Sequence, residues 1–111
     1  MCYGVVVPYE IRFADCVQKH LGVLTAGERA RVLDAIRERL THQPLVETRN
    51  RKPLRPNPIA PWELRVGSLR AFYDVVARGR ESKMPADVVY VLAVGKKQRT
   101  VLRIAGEVVE I

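Results

Sequence analysis

The 111-residue sequence has little cysteine, few aromatic side chains and no long apolar run. Its two cysteines, Cys2 and Cys16, are too few for a disulfide framework, so we expect reduced thiols in a cytoplasmic protein. No apolar run approaches the ~20 residues that a membrane-spanning helix needs. The first residues also lack the basic segment and the apolar segment of a secretion signal. The sequence therefore predicts neither a membrane protein nor a secreted one.

Several common catalytic and metal-binding patterns are also missing. Gly95 and Lys96 do not belong to a phosphate-binding loop, because Tyr90 stands where the first glycine of that motif is required. His20 and His42 have no partner at metal-ligand spacing, and the cysteines do not form a CxxC pair, so we expect no metal site and no cofactor. No G-x-S-x-G pattern marks a serine hydrolase. Both histidines are expected at helix ends or on a solvated face.

Acidic residues are scarce in the second half of the chain. The whole sequence has 19 Lys and Arg against 12 Asp and Glu, a net charge of +7. Residues 1–48 are balanced at six of each sign, whereas residues 49–103 hold thirteen basic and four acidic side chains, a net of +9. This asymmetry favours an anionic partner that contacts the second half, with nucleic acid as the first candidate and an acidic protein as the second. A generic solubility charge is the alternative.

The first half of the chain predicts helices after one strand, within a single domain of residues 1–111. Residues 9–13 alternate apolar and polar side chains as a half-buried strand does, with residues 5–7 as an extension. Apolar positions at helical spacing predict a short helix over residues 14–24, and the capping box Thr25-Ala26-Gly27-Glu28 opens a second helix. Five prolines between residues 43 and 61 predict an extended connection with neither helix nor paired strand.

The second half predicts only strands and turns. In order these are strands over 62–66 and 69–76 around a Gly67-Ser68 turn, a polar loop over 78–83, a buried strand over 88–94 that Gly95 ends, and a hairpin of 101–104 and 108–111 around Ala105-Gly106. We therefore predict an α+β fold in which two N-terminal helices pack on an antiparallel sheet of about four strands, followed by a small C-terminal β-hairpin. Trp62 and Phe72 are expected in the core, and Tyr73 in the core with its hydroxyl at the rim of the site.

Clustered cations on strands, with few acids nearby, leave one metal-free reaction open. RNA carries its own nucleophile, the 2′-OH, so a ribonuclease needs a proton acceptor, fixed cations for the phosphoryl oxygens and a proton donor. Four basic side chains converge if the 62–76 hairpin lies beside the end of the 88–94 strand: Arg65, Arg70, Lys97 and Arg99. The alternative is a basic groove that binds phosphates without cutting them.

The residues around this hairpin resemble those of a known family. The run from Trp62 to Val75, WELRVGSLRAFYDV, and the strand end VGKKQR at residues 94–99 look like the RelE/ParE toxin superfamily. The two leading helices and the RKPLR approach at residues 51–55 fit the same layout, so that the resemblance covers residues 9–104. Members are small basic toxins held inactive by a co-expressed antitoxin. RelE-type members cut mRNA on the ribosome without a metal, and ParE-type members poison DNA gyrase.

The resemblance also implies roles for individual residues. Arg70 matches the arginine that RelE-type enzymes place on the scissile phosphate. Lys97 occupies the position of the catalytic arginine that follows the V-G-K strand end in that family. Arg99 and Arg65 match further basic positions. Two departures are visible: Arg103 falls near the place of a RelE-type tyrosine, and Pro61 and Glu63 replace an expected lysine pair. Glu63 thus becomes the candidate general base, with Lys52 as its alternative.

Together these observations predict the toxin of a type II toxin–antitoxin system, acting as a metal-independent, ribosome-dependent mRNA endoribonuclease. The predicted catalytic set is Arg70, Lys97, Arg99, Arg65 and Glu63, and the predicted RNA-binding set is Arg49, Arg51, Lys52, Arg55, Lys96 and Arg103. The expected partners are a cognate antitoxin, in a toxin–antitoxin hetero-oligomer, and mRNA on the ribosome. The alternatives are a non-enzymatic toxin that binds gyrase and a catalytically inactive RNA-binding member of the fold.

Overall fold

The computed structural model describes residues 9–76 and 88–109. Within them the elements are, in order, β1 (Glu10–Phe13), α1 (Asp15–Gly22), α2 (Ala26–Leu40), β2 (Arg51–Pro53), β3 (Trp62–Val66), β4 (Leu69–Val76), β5 (Val88–Gln98), β6 (Val101–Ile104) and β7 (Glu107–Val109). Two helices beside one sheet confirm the predicted α+β class. The strand extension predicted at 5–7, the loop predicted at 78–83, and Cys2 lie outside the described residues.

The sheet is larger than predicted and is not wholly antiparallel. Six strands form the antiparallel path β2-β3-β4-β5-β6-β7, and β1 pairs in parallel with β5. The expected number of about four strands is therefore wrong. Two helices and three strands lie between β1 and β5 in the chain, so no tight turn joins the two strands and a parallel pair is possible.

The prediction that the proline-rich connection contains no paired strand is wrong over three residues. Residues Arg51–Pro53 form β2, which pairs antiparallel with β3. Pro53 is tolerated because β2 is an edge strand, where one side of the backbone needs no partner. The loop that follows is held by Asn57, whose Oδ1 accepts the backbone N–H groups of Ile59 and Ala60 at 2.8 and 3.0 Å.

Gly95 does not end its strand as predicted, because β5 continues to Gln98. A Cβ atom at position 95 would lie 2.6 Å from the carbonyl oxygen of Arg103 and 2.8 Å from Cγ1 of Ile104. The glycine therefore allows β6 to approach β5 closely, which is a role that glycine often has inside strands. A sequence pattern does not distinguish this close approach from a strand end.

The C-terminal hairpin exists, but it continues the main sheet. Strands β6 and β7 are joined at Ala105 and Gly106, whose φ angles of 54° and 82° are those of a two-residue type I′ turn. Strand β6 also pairs with β5, so the hairpin is not a separate unit. Strand β7 is described as far as Val109, and residues 110–111 of the predicted strand lie outside the described residues.

Each face of the sheet has its own apolar cluster. On the helix face, the predicted stripe of α2, with Val32, Ile36 and Leu40, packs against strand residues that include Leu64 and Tyr73. Helix α2 begins at the predicted capping box, in which the Thr25 hydroxyl accepts the Glu28 N–H at 3.1 Å. The opposite face, here called the far face, carries a smaller cluster: Ala60, Phe72, Ala93, Leu102 and Ile104.

The aromatic residues of the β3–β4 hairpin lie in the core. Phe72 is fully buried on the far face, and Trp62 is partly buried against the helix-face core, where it stacks on Tyr73 with ring centroids 6.1 Å apart. The Tyr73 hydroxyl donates to the carbonyl oxygen of Pro44 at 2.5 Å. Tyr73 therefore does not reach a site rim on the far face, because the alternation of β4 places it among the helix-face residues.

Helix α1 supplies hydrogen-bond partners to a part of β5 that has no neighbouring strand on one side. Strand β1 pairs with residues 88–91 of β5 and β6 pairs with residues 95–98, which leaves the backbone between them without a strand partner on that side. Here Cys16 Sγ donates to the Leu92 carbonyl at 3.4 Å, and His20 Nδ1 accepts the Val94 N–H at 3.2 Å. His20 lies in the last turn of α1, as predicted, but it binds the sheet. His42 is exposed, as predicted.

The close approach at Gly95 predicts opposite effects for two Gly→Ala substitutions. Gly95→Ala should lower the free energy of unfolding by about 1–3 kcal/mol, because the new methyl group meets backbone atoms of β6. Gly22→Ala should raise it by about 0.5–1 kcal/mol, because this helical glycine has no atom within 4 Å of a new Cβ. Urea unfolding of both variants measures the two changes. Equal effects of the two substitutions would contradict this account of Gly95.

The contact between His20 and Val94 predicts a pH dependence of stability. Burial lowers the pKa of His20 below its ordinary value of 6.5, and the charge of Lys19 adds to this. The unfolded chain therefore binds the proton more readily, so the contribution of His20 is complete above pH 6.5 and is lost as the pH falls below that value. His20→Asn, which keeps an acceptor but does not titrate, should lose less stability between pH 7.5 and pH 5.5.

Thermal unfolding of the wild type, His20→Asn and His42→Asn at both pH values measures this difference. His42 is the matched control, because it is exposed and makes no hydrogen bond with any described residue. The His42 variant should follow the wild type. Identical pH slopes for all three proteins would show that the His20 contact does not contribute.

Candidate nucleic-acid interface

A groove of about 550 Å³ lies on the far face, where the β3–β4 hairpin meets the end of β5 and the β6–β7 hairpin. Its lining combines cationic, polar and aliphatic side chains. The polar lining is Arg55, Glu63, Arg65, Lys97 and Thr100, and the apolar lining is Leu54, Val101, Leu102, Val108 and Val109. The groove therefore offers charge for an anion together with an aliphatic surface for an apolar group.

Strand register explains why the basic residues of β3 and β5 meet here. Arg65 lies opposite Arg70 in the β3–β4 pair, and Arg70 lies opposite Gly95 in the β4–β5 pair. The turn between β3 and β4 is tight, since Gly67 has a φ of 60°, and its next residue Ser68 accepts the backbone N–H of Lys97 at 2.7 Å. The hairpin thus lies beside the end of β5, which is the proximity that the sequence predicted.

Glu63 is the one buried charged side chain in the described part of the chain, with 8% of the side chain exposed. Its Oε2 accepts a hydrogen bond from Arg65 Nε at 3.0 Å, and its Oε1 lies 3.4 Å from Arg70 Nε. Both oxygens are therefore next to a guanidinium group. Burial of a carboxylate is tolerated when such cationic partners replace water.

Arg70 is directed into the protein more than into the groove. Its side chain is 14% exposed, and Nη1 donates to the carbonyl oxygens of Gly67 at 2.7 Å and Leu69 at 2.9 Å. Its buried Nε makes no hydrogen bond within the described residues and has only the ion pair with Glu63. Burial lowers the pKa of Arg70 below its ordinary value, and the negative charge of Glu63 opposes that effect. Arg70 thus fixes the hairpin turn and the Glu63 carboxylate.

Three other cations face the groove with free nitrogen atoms. The Arg65 side chain is 45% exposed, and beyond its Nε contact its guanidinium makes no hydrogen bond with a described residue. Lys97 is half-buried and Arg55 is exposed, and neither side chain forms an ion pair within the described parts of the chain. A guanidinium and an ammonium group in this state can bind phosphate oxygens.

The remaining predicted residues of β5 and β6 lie elsewhere. Lys96 is on the opposite side of β5 from Lys97 and binds Glu28 of the α2 capping box, with 2.7 Å between Nζ and Oε2. Arg103 pairs with Lys96 across β5 and β6, so it shares that face and not the groove. Arg99 lies at the tip of the β5–β6 turn with a φ of 57°, exposed and beyond the groove lining.

Three further predicted residues, in β2 and just before it, also lie outside the groove lining. The Arg51 guanidinium donates to the carbonyl oxygens of Val46 at 3.0 Å and Arg39 at 2.8 Å, so it ties the connection to the end of α2. Lys52 lies opposite Glu63 in the β2–β3 pair and has its Nζ 3.6 Å from a carboxylate oxygen of Glu47. Arg49 is exposed before β2. Of these three residues, Lys52 alone lies beside a groove residue, Glu63, on the same face of the sheet.

Sequence reasoning missed the aliphatic half of the groove and the partner of Lys96. In the sequence, Arg103 stands between Leu102 and Ile104, and this alternation could have indicated that the two apolar side chains share one face of β6. Nothing in the sequence signals that Glu28 of a helix cap meets Lys96, since the two residues are separated by 68 positions. Such contacts depend on the three-dimensional packing of α2 on the sheet.

Among residues 9–76 and 88–109, no group of three or more His, Cys, Asp and Glu side chains is arranged to hold a metal ion. Neither of the two helices described has the length and apolar character required to cross a membrane.

Comparison with known proteins supports the resemblance seen in the sequence. No protein-family model matches the chain. No curated protein matches it either. Among solved structures, a chain of the toxin–antitoxin complex RelBE2 from Mycobacterium tuberculosis is similar, with a TM-score of 0.62 and 27% identity over 82% of this chain and 100% of that chain. This similarity confirms the predicted resemblance to the RelE/ParE toxin superfamily.

The two adjacent lysines of β5 should have different effects on stability. The hydrogen bond from Lys96, with a further one from the Thr25 N–H, lowers the pKa of Glu28 from 4.5 to about 2. The stabilising contribution of the carboxylate is therefore complete above pH 4.5 and is lost as the pH falls towards 2. Lys96→Met should lower the melting temperature at pH 7, and the difference from wild type should shrink towards pH 2.

Lys97→Met is the matched control, since it removes the same charge from the next residue of the same strand. Its melting temperature should stay close to that of the wild type, because Lys97 has no ion pair with a described residue. Thermal unfolding followed by circular dichroism compares the two variants. Equal losses for the two lysines at pH 7 would contradict the role of Lys96 in the helix cap.

Proposed function

We propose that this chain is the toxin of a type II toxin–antitoxin system, and that it cleaves mRNA on the ribosome in the cytoplasm without a metal. The similarity to a chain of a toxin–antitoxin complex supports the toxin role. The observation that carries the ribonuclease part is the far-face groove, in which the free nitrogen atoms of Arg65, Lys97 and Arg55 face one cavity. These cations are suited to hold the phosphate of an RNA strand.

In the proposed reaction the RNA supplies the nucleophile. The 2′-oxygen attacks the adjacent phosphorus, a bond from phosphorus to the 2′-oxygen forms, and the bond to the 5′-oxygen breaks. The proton of the 2′-OH passes to solvent, and solvent supplies the proton that the departing 5′-oxygen takes up. Negative charge grows on the non-bridging oxygens meanwhile, and fixed cations stabilise that charge without reorganising.

The proposed contacts divide between the reacting phosphate and its neighbours. Arg65 and Lys97 reach the reacting phosphate, and Arg55 attracts the backbone beside it. The proposed roles of Arg70 and Arg99 on the phosphate require the hairpin turn and the β5–β6 tip to adjust, since Arg70 binds its own turn and Arg99 lies beyond the groove lining. Four other predicted basic residues contribute only to the long-range attraction of the RNA; they are Arg49, Arg51, Lys96 and Arg103.

The proposed protein partner is an antitoxin segment that occupies the same groove. The aliphatic lining from β6 and β7 would accept apolar side chains, and the three cations would accept carboxylates. A segment that combines acidic and aliphatic residues therefore fits both halves of the groove. It would also neutralise part of the net charge of +9 that residues 49–103 carry.

Primer extension on a reporter mRNA after pulsed expression tests the ribonuclease function. The wild type should produce cuts within translated codons. Lys97→Ala and Arg65→Ala should reduce the yield of cuts by about a hundred-fold, the scale expected when one fixed charge is removed from a transition-state site. Arg70→Ala should do the same through the hairpin and the Glu63 contact. Arg37→Ala, an exposed cation of α2 far from the groove lining, should cut as the wild type does.

The other outcomes distinguish the remaining functions. Growth arrest without any cuts would overturn the ribonuclease proposal and direct attention to gyrase or another protein target. Neither arrest nor cuts, from a folded protein that binds RNA, would indicate a catalytically inactive member of the fold. Loss of cutting in the Arg37 variant as well would mean that net charge alone is responsible.

A further inference from the structure

We propose that Glu63 is a positioning residue and not the general base: together with Arg70 it holds Arg65 in the orientation that binds phosphate. This inference rests on the proposed function, because Arg65 is taken to contact RNA. It replaces the role that the sequence resemblance suggested for Glu63. The contacts, the burial and the strand geometry of these three residues carry it.

The three residues form one connected arrangement that begins at a rigid turn. The carbonyl oxygens of Gly67 and Leu69 bind Nη1 of Arg70, and Arg70 Nε faces Oε1 of Glu63 at 3.4 Å. Oε2 of Glu63 then binds Arg65 Nε at 3.0 Å. Glu63 and Arg65 are two residues apart on one strand, so their side chains lie on the same face. The orientation of Arg65 is thus set by a turn of the backbone.

This arrangement leaves the outer end of Arg65 free for a ligand. The contact uses only Nε, so Nη1 and Nη2 remain for a phosphate group at the groove. An exposed arginine that is not held samples many rotamers and loses that freedom when it binds. A guanidinium that is already held binds the same phosphate with a smaller loss of entropy, which is the usual benefit of preorganisation.

The same contacts argue against Glu63 as the proton acceptor. A general base has to come within hydrogen-bond distance of the proton that it removes. Only 8% of the Glu63 side chain is exposed, and each oxygen faces a guanidinium group. A substrate hydroxyl would have to compete with Arg65 or Arg70 for the carboxylate, and the loss of either contact would leave a charged partner buried or unheld.

Binding measurements distinguish the two roles by the sign of an effect. Removal of a negative charge from a basic groove should tighten the binding of an anion if Coulomb attraction alone acts. Removal of a positioning residue should weaken that binding, because Arg65 loses its fixed orientation. A general base takes no part when the RNA lacks a 2′-OH, so that role predicts no weakening with such a ligand.

The experiment uses a short single-stranded RNA that carries 2′-O-methyl groups throughout and a fluorophore, with fluorescence anisotropy at low ionic strength. Glu63→Gln should weaken binding roughly five-fold, the scale of a lost charge-assisted contact. Glu107→Gln is the matched control, since Glu107 is an exposed acid of β7 with no ion pair to a described residue. This control should bind the RNA as tightly as the wild type or more tightly.

A double-mutant cycle identifies the residue through which Glu63 acts. In a protein that already carries Arg65→Ala, Glu63→Gln should cause no further loss of binding, because the side chain that Glu63 holds is gone.

A second variant controls for misfolding caused by an unpaired Arg70. Glu63→Leu with Arg70→Met replaces the buried pair by apolar side chains, which folds commonly tolerate. It should be folded by circular dichroism and should bind as weakly as Glu63→Gln.

Two outcomes would overturn the inference in different ways. If Arg65→Ala and Lys97→Ala weaken binding but both Glu63 variants bind as tightly as the wild type or more tightly, the positioning role is wrong and the groove remains the RNA site. If the wild type does not bind the RNA at all, the groove is not an RNA site by itself, and the role of Glu63 fails with it, whereas the cuts seen by primer extension test the ribonuclease function separately. A further loss from Glu63→Gln in the Arg65→Ala protein would also overturn the positioning role.

Discussion

The missing side chain at Gly95 is the constraint on which the shape of the far face depends. Strand β6 can approach only because no Cβ stands 2.6 Å from the Arg103 carbonyl oxygen. With β6 in place, β7 follows through its two-residue turn, and both strands add aliphatic residues to a groove whose other lining is, apart from Leu54, charged or polar. A larger residue at position 95 would separate β5 from β6 and remove that half of the groove. Gly95 has no side chain that could contact a ligand, yet it thus determines which ligands the groove can accept.

Because side chains alternate between the two faces of a strand, neighbouring cations make different contacts. Lys96 and Lys97 are adjacent, yet Lys96 ties the sheet to the N-terminus of α2 and Lys97 faces the groove. Arg65 and Arg70 lie opposite one another and divide in a similar way, with Arg70 bound to its turn and Arg65 extended outwards. A count of positive charges cannot separate these tasks. The strand parity and the nearest carboxylate of each residue decide between them.

The sequence was sufficient for the parts of the fold that depend on local patterns. The capping box at residues 25–28, the alternation of residues 62–66 and the Gly67-Ser68 turn each have a physical signature within a few residues. The parallel pairing of β1, the strand β2 and the continuation of β5 beyond Gly95 depend on contacts between distant segments. The same limit applies to the site: the basic residues could be named from the sequence, but the burial of Glu63 between two arginines could not.

The groove also carries an electrostatic cost that is consistent with an anionic ligand. Arg65, Lys97 and Arg55 repel one another, and the nearest carboxylate, Glu63, is already shared by two arginines. Like charges that converge without partners destabilise a compact fold, so they are usually retained for what they bind. RNA and an antitoxin segment would both relieve this repulsion through the same nitrogen atoms. Because those atoms cannot serve two ligands at once, binding of the antitoxin would by itself exclude RNA, and inhibition would need no conformational change.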